Sequence, residues 1–187
     1  RAQWRAGSAA AIALDSGSCD VVVSGLVLNF VPDLPAALSE MRRVCTPGGT
    51  IAAYVWDYAD GMEVIRRFWE AAVSLDSAAA RLDEGARFPL CHPAALQAAF
   101  ERAGLARVET TSLELRAEFA DFEQYWQPFL GGQGPAPAYA MSLPEEQRAA
   151  LRSRLKAALP AAAGGGIALR ARAWAVRGVN RSGASSR

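Results

Sequence analysis

Histidine occurs once in this chain, as His92, and lysine once, as Lys156. One imidazole and three scattered cysteines give no metal-ligand spacing, so no metal is expected. Cys19, Cys45 and Cys91 are odd in number and never form C-x-x-C, a usage that fits free thiols in a reducing compartment. Long apolar runs are also missing. The longest candidate, Val21 to Val31, is broken by Ser24, Gly25 and Asn29 and falls short of the roughly eighteen residues a membrane helix needs. The opening stretch RAQWRAGSAAAIAL has a basic start like a signal peptide, but its apolar run is mostly alanine with Gly and Ser inside. A soluble cytoplasmic protein is the expectation. Net charge is +1 and the arginines are spread along the chain, which argues against a nucleic-acid surface.

What is present suits one domain with a sizeable core: 187 residues, 51% hydrophobic and 21% charged. The chain is organised around CDVVVSGLVLNFVPDLPAALSEMRRVCTPGGTIAAYVWD, Cys19 to Asp57. Val21, Val22 and Val23 lead through Ser24 and Gly25 into an apolar stretch too short for an ordinary helix, and read as a buried strand. Asp33 is placed to cap a helix with the stripe Leu34, Leu38, Met41 and Cys45, its Glu40, Arg42 and Arg43 turned to water. Thr46-Pro47-Gly48-Gly49 stops that helix. Ile51 to Trp56 is apolar on both faces, as in a parallel strand covered by helices on each side. The unit is a right-handed βαβ crossover.

Asp20, Val22, Ser24, Val27 and Leu28, followed by Arg43, Val44, Pro47, Gly48 and Gly49, form the ordered pattern D-x-V-x-S-x-x-V-L and R-V-x-x-P-G-G. This set resembles the second half of a class I S-adenosylmethionine (SAM) dependent methyltransferase domain, of the group that includes ubiquinone and menaquinone C-methyltransferases. The resemblance runs from about Trp4 to Gly178. It implies a Rossmann-like α/β three-layer sandwich, truncated at the N-terminus, with an antiparallel final strand pair and a helical insertion between those strands. It also implies SAM as cofactor and transfer of a methyl group to a small organic acceptor. The glycine-rich loop of that family, and its acid for the ribose hydroxyls, do not occur upstream of Asp20. With Arg1 in place of Met at the start, the expectation is the remainder of a longer polypeptide, one that alone binds SAM weakly or not at all.

Taken in order, Ala2 to Ala6 reads as the end of a strand and Gly7-Ser8-Ala9 as the turn after it. The resemblance puts an adenine-binding acid where Ser8 stands. A hydroxyl accepts a hydrogen bond without the charge or reach of a carboxylate, and an ordinary Gly-Ser turn is the alternative. Met62 to Leu75 carries Ile65, Phe68, Trp69, Ala72 and Val73 at helical spacing, and Arg81 to Pro93 is a polar, proline-punctuated connection. Pro93 to Ala103 is a helix ended by Gly104 in the left-handed conformation. Leu105 to Leu115, with Val108, Leu113 and Leu115 inward, and Ile167 to Arg177 are the last two strands. The insertion at 116–166 reads as two helices joined by Gly131 to Gly134. Asp121 with Gln124 and Ser142 with Glu145 form their capping boxes. Residues 1–178 form one partial methyltransferase domain and 179–187 a disordered tail.

A SAM methyl group is already electrophilic, so the protein's tasks are alignment and exclusion of water, and no triad is required. By resemblance Gly7, Ser8, Ala9, Ser24, Gly25 and Leu26 face the cofactor. Asn29 and Phe30 approach the methyl group or acceptor, a purely structural Asn29 being the alternative. Asp20 lies at the wrong end of its strand for chemistry. Asp57 or Tyr58, after Trp56, orients an acceptor or lies exposed, and Arg87 and Phe88 line the same mouth. His92 is either a general base or a loop and capping residue. Phe122, Tyr125, Trp126 and Phe129 form an aromatic stripe, either a substrate lid with Trp126 and Phe129 facing an apolar or aromatic acceptor, or core packing. A noncatalytic scaffold that lost the cofactor loop and a nicotinamide-dependent Rossmann enzyme are the other readings; a parallel final strand would favour the latter.

Overall fold

The computed structural model describes residues 2–131, 133–160 and 166–181. Of the tail expected at 179–187, Val179 belongs to a strand and Asn180 is buried, while residues 182–187, like Gly132 and 161–165, lie outside the described residues. Two compact units emerge: Arg1–Val55 with Leu90–Ser112 and Trp174–Arg187, and Trp56–Pro89 with Leu113–Ala173. The sequence reading of one domain, 1–178, did not anticipate this division.

The sheet has four strands, β1 (Cys19–Gly25), β2 (Cys45–Trp56), β3 (Ala106–Phe119) and β4 (Ile167–Val179), in the order β1-β2-β4-β3. β1 and β2 are parallel, with Val21 opposite Thr50 and Gly25 opposite Tyr54. β4 runs against β2, since Asn180 exchanges backbone hydrogen bonds with Gly48 and Gly49 at one end while Arg172 accepts from Asp57 at the other. It also runs against β3, because Arg177 pairs with Glu109 and Arg172 with Glu114. The closing pair is therefore antiparallel, and the nicotinamide reading loses the feature that would have revived it.

In the first unit, helices α1 (Leu34–Val44) and α4 (Pro93–Arg102) form around one core with β2. Asp33 caps α1 as expected, its Oδ1 accepting from the Ala36 amide at 2.9 Å, and Gly104 ends α4 at φ +80°. Leu38 and Met41 join Ile51, Ala53, Val55, Leu96 and Phe100 in that core. A fully buried side chain of this kind contributes about 2 kcal/mol.

Several expectations fail here for identifiable reasons. Ile51, Ala53 and Val55 are buried, but the alternate side chain Tyr54 is exposed, so β2 is covered on one face within this unit and not on both. Val21 and Val23 share that open side of the strand pair, at 60% and 59% exposure. Thr46 to Gly49 belongs to β2 and is not a turn; the helix ends at Val44. Arg42 and Arg43 are half-buried and engaged, not simply turned to water: Arg42 Nη1 donates to the Ala103 carbonyl at 2.6 Å, and Arg43 bonds Glu40 and the carbonyls of Ile12 and Leu14. Those carbonyls belong to residues 2–14, which form no strand, only a bridge between Ser8 and Ala11. Glu40 also accepts from the Ile12 amide; its hydrogen bond to Arg43, then that amide, lower its pKa to about 2.

The second unit packs α2 (Glu63–Leu75), α3 (Glu84–Arg87), α5 (Phe122–Trp126), α6 (Pro135–Ser142) and α7 (Glu145–Ala158). The connection after α2 is built of short helical turns and α3, and the insertion holds three helices where two were expected. Asp121 caps α5 by accepting from Gln124, whose own side chain accepts from Ala120. The second expected box does not form. Pro144 precedes α7, and Ser142 Oγ bonds the Tyr139 carbonyl within its own helix. Leu113 and Leu115 are exposed rather than inward, on the strand that ends the sheet.

Candidate functional site

The carboxyl end of β1 departs from ordinary backbone, as does Arg107 in β3 at φ +50°. Leu26 follows Gly25 with φ +59°, a left-handed conformation that a γ-branched residue adopts at a cost of about 1 kcal/mol or more. Its amide is held by the Tyr54 carbonyl at 2.8 Å. A Cβ on Gly25 would lie 2.6 Å from Tyr54 Oη, so a side chain there requires the Tyr54 ring to move. Parallel pairing thus lays the Tyr54 phenol against the bare backbone of the β1 tip, and its hydroxyl has no hydrogen-bond partner among the described residues. Sequence reasoning missed Tyr54. A glycine at a strand end marks close approach, and the register of neighbouring strands identifies what approaches.

A single helical turn, Leu28–Phe30, follows. Its Asn29 donates to Cys91 Sγ at 3.8 Å, while Asn29 Oδ1 is buried with no partner. An unpaired buried acceptor costs about 1 to 3 kcal/mol. Phe30 is half exposed. His92 is the exposed N-cap residue of α4, its carbonyl accepting from the Leu96 amide at 3.1 Å while its side chain makes no cap. Gly7, Ser8 and Ala9 lie in the exposed amino-terminal segment, where Ser8 Oγ accepts from the Ala10 amide.

The remaining candidates belong to the second unit. Asp57 is buried and fully engaged: Oδ2 takes Arg172 at 2.6 Å and Oδ1 accepts from the Asp60 amide at 3.0 Å. Arg172 also meets Asp60 at 2.8 Å. Burial works against the Arg172 charge, and the Asp57 and Asp60 carboxylates outweigh it, raising its pKa. Asp57 therefore holds the end of β2 and is not the exposed residue that was one of the two expectations. Trp56 and Tyr58 flank it, half-buried; the Tyr58 ring lies 5.8 Å from Phe88, over which Arg87 sits at 5.9 Å.

Trp126 and Phe129 are 3% exposed each, and Phe129 stacks on Phe68 at 4.6 Å. Tyr125 donates to the Val64 carbonyl, and burial drives its pKa upward. The stripe is the core of the helical insertion, which corrects the assignment of Trp126 and Phe129 to an acceptor wall. Sequence reasoning also missed Glu84, a buried carboxylate that accepts from the Trp69 indole and whose pKa burial raises.

Among the described residues no cluster of His, Cys, Asp and Glu could hold a metal ion, and no helix is long and apolar enough to cross a membrane.

A family model described as a methyltransferase domain matches residues 1–53. Over 54 residues, 29% of this chain, it is 39% identical to an uncharacterized protein of Mycobacterium tuberculosis. Over 52 residues, 28% of this chain, it is 44% identical to a demethylmenaquinone methyltransferase of Roseiflexus castenholzii. The match spans 20% and 22% of those proteins. Among solved structures, a protein of Anabaena variabilis described as a methyltransferase from an antibiotic biosynthesis pathway aligns with a TM-score of 0.57 at 18% identity. That alignment covers 92% of this chain and 72% of that one. The YcgJ protein of Bacillus subtilis aligns at 0.53 and 15% identity, covering 95% and 70%. The fold is the Rossmann-like α/β fold of methyltransferases.

Proposed function

We propose that this chain works in SAM-dependent methyl transfer to a small organic acceptor, contributing the β1 and β2 side of the cofactor pocket. The single observation that carries the reading is the β1 tip. A left-handed Leu26, a Gly25 packed under Tyr54 and, in the turn that follows, the unpaired Asn29 Oδ1 lie at and just after the carboxyl end of a parallel strand, where open α/β sheets bind ligands. The family match over residues 1–53, which contain this tip, supports the same reading.

SAM, when bound, supplies an electrophilic methyl group on sulfur. The chain's own residues then have to bind, orient and exclude water. The backbone of Ser24, Gly25 and Leu26 forms the strand end that faces the ligand; Asn29 Oδ1 accepts a hydrogen bond from it; Phe30 offers an apolar wall toward the acceptor. The ring of Tyr54 keeps the tip in place from the other strand. The half-pocket fits the cofactor on this side only, because the 187 residues contain no glycine-rich strand-loop-helix and no ribose acid before Asp20. A second reading is a noncatalytic scaffold that keeps the fold. An apolar or aromatic acceptor and a cytoplasmic location complete the proposal.

The test is a titration of the isotopically labelled chain with S-adenosylhomocysteine, followed by amide chemical shifts. Shifts confined to Ser24, Gly25, Leu26 and Asn29, saturating only at millimolar concentration, are expected. No shift at those amides overturns the cofactor reading and leaves the scaffold. Low-micromolar affinity by calorimetry keeps the cofactor but overturns the claim that half the pocket is lacking.

A further inference from the structure

The second unit holds a cavity of about 390 Å³ that the methyl-transfer reading does not use. Its walls come from three helices: Ala72 and Leu75 of α2, Leu143 beside α6, and Ala150 and Leu151 of α7. The volume lies within the range of small-molecule pockets, which are mostly apolar with a few convergent polar groups. Here those groups are Asp76, Tyr139 and Gln147.

Their chemistry is one-sided. Asp76 is the only charged residue among those lining the cavity. One of its carboxylate oxygens accepts from the Ala78 amide at 2.9 Å; the carboxylate makes no ion pair among the described residues. The Tyr139 ring packs on Trp69 at 5.6 Å and edge-on to Phe68 at 6.3 Å, which fixes its plane. Its hydroxyl has no partner among the described residues, and burial, then the nearby Asp76 charge, raise its pKa. The phenol therefore stays protonated and neutral. A carboxylate with spare acceptor capacity, beside an aromatic ring and apolar walls, is what an ammonium group on an apolar body requires: charge-assisted hydrogen bonding at one end, attraction to the ring face, and burial of the rest. A carboxylate-bearing ligand would meet Asp76 as a like charge, and a neutral one would gain the apolar walls alone.

We propose that this cavity is a binding site for a small apolar amine in its ammonium form, held by Asp76 and Tyr139. The inference stands apart from the methyl-transfer reading and involves only residues of the second unit.

The probe is 2-phenylethylamine at pH 7, titrated into the labelled chain and compared with 2-phenylethanol and 3-phenylpropanoate. The amine is expected to shift the amides of Asp76, Gln147 and Leu151 and to bind at least tenfold more tightly than the alcohol, with no saturable binding of the carboxylate. Asp76→Asn keeps an oxygen for the Ala78 amide and should bring amine and alcohol within about twofold of each other. Ala150→Phe, at an exposed wall position, should abolish binding of both without lowering the melting temperature. Equal binding of the three probes, absence of any shift at those amides, or a selectivity that survives Asp76→Asn each overturns the proposal. The wild-type comparison alone decides it if a variant fails to fold.

Discussion

Arg172 closes on Asp57 at 2.6 Å across 115 residues of chain, and the same pair is joined again through backbone, the Asp57 amide donating to the Arg172 carbonyl at 2.9 Å. Gly61 completes the corner, because a Cβ there would fall 2.5 Å from the Arg172 side chain. Removing one partner leaves the other charge buried without compensation, which costs about 3 to 5 kcal/mol. Arg172→Met should lower unfolding free energy by that amount in urea denaturation. Asp57→Asn together with Arg172→Met should recover most of it, and additive losses would show that the two residues act independently.

The approach of Tyr54 to Gly25 makes a second double-mutant test. Gly25→Ala forces a methyl to within 2.6 Å of Tyr54 Oη, and overpacking of this kind costs about 1 to 3 kcal/mol. Tyr54→Ser removes the obstacle. In the double variant the losses should fall short of their sum by about 1 kcal/mol in chemical denaturation, and strict additivity would mean that the Tyr54 ring swings away at little cost.

Glu84 gives a pH signature whose sign is fixed by its burial. Its folded pKa is raised, so the folded state holds the proton more tightly than the unfolded chain. The stability this gives is complete below the ordinary glutamate pKa of about 4.3 and is lost as pH rises through the folded value. Glu84→Gln keeps an acceptor for the Trp69 indole and removes the titration. The melting temperature of the variant should match wild type near pH 4 and exceed it increasingly toward neutral pH. A constant difference across that range would assign the effect to packing alone.

Trp126 separates lid from core. At 3% exposure against Phe122 and Phe129 it belongs to packing, and Trp126→Ala should cost about 3 to 5 kcal/mol. A stability change below about 1 kcal/mol in urea denaturation would return the residue to a mobile role.

Features legible from sequence were those set by neighbours in the chain. Asp33 and Asp121 cap helices because an acid three residues ahead of an amide needs no distant partner, and Gly104 reads as left-handed for the same reason. The βαβ unit and the closing antiparallel pair were recoverable from apolar patterning together with the family pattern. What escaped depends on distant residues. The aromatic stripe on α5 looks the same in sequence whether it faces a ligand or Phe68, and Asp57 at a strand end looks free until Arg172 arrives from β4. For the site, the Ser24 to Leu26 tip was marked by its glycine, whereas Tyr54 is visible only once the parallel register is known.

β1 stands at the edge of the sheet, and Val21 and Val23 are its exposed apolar side chains. Parallel strands are ordinarily buried on both faces, and an uncovered apolar edge pairs with whatever strand it meets. Asp20 is the one charged residue within β1, its carboxylate accepting from the Thr46 hydroxyl at 3.4 Å, so a single negative charge is all the strand sets against a second copy. Self-association through β1 is the expected outcome for the isolated chain at high concentration. Val23→Lys places a charge on that strand while leaving the buried side of the pair, Val22 against Ile51, untouched. Light scattering after size exclusion should show wild type growing in mass with concentration and the variant remaining a monomer. A wild-type chain that is monodisperse and melts cooperatively as a monomer would mean that the edge strand is not the surface through which this protein associates.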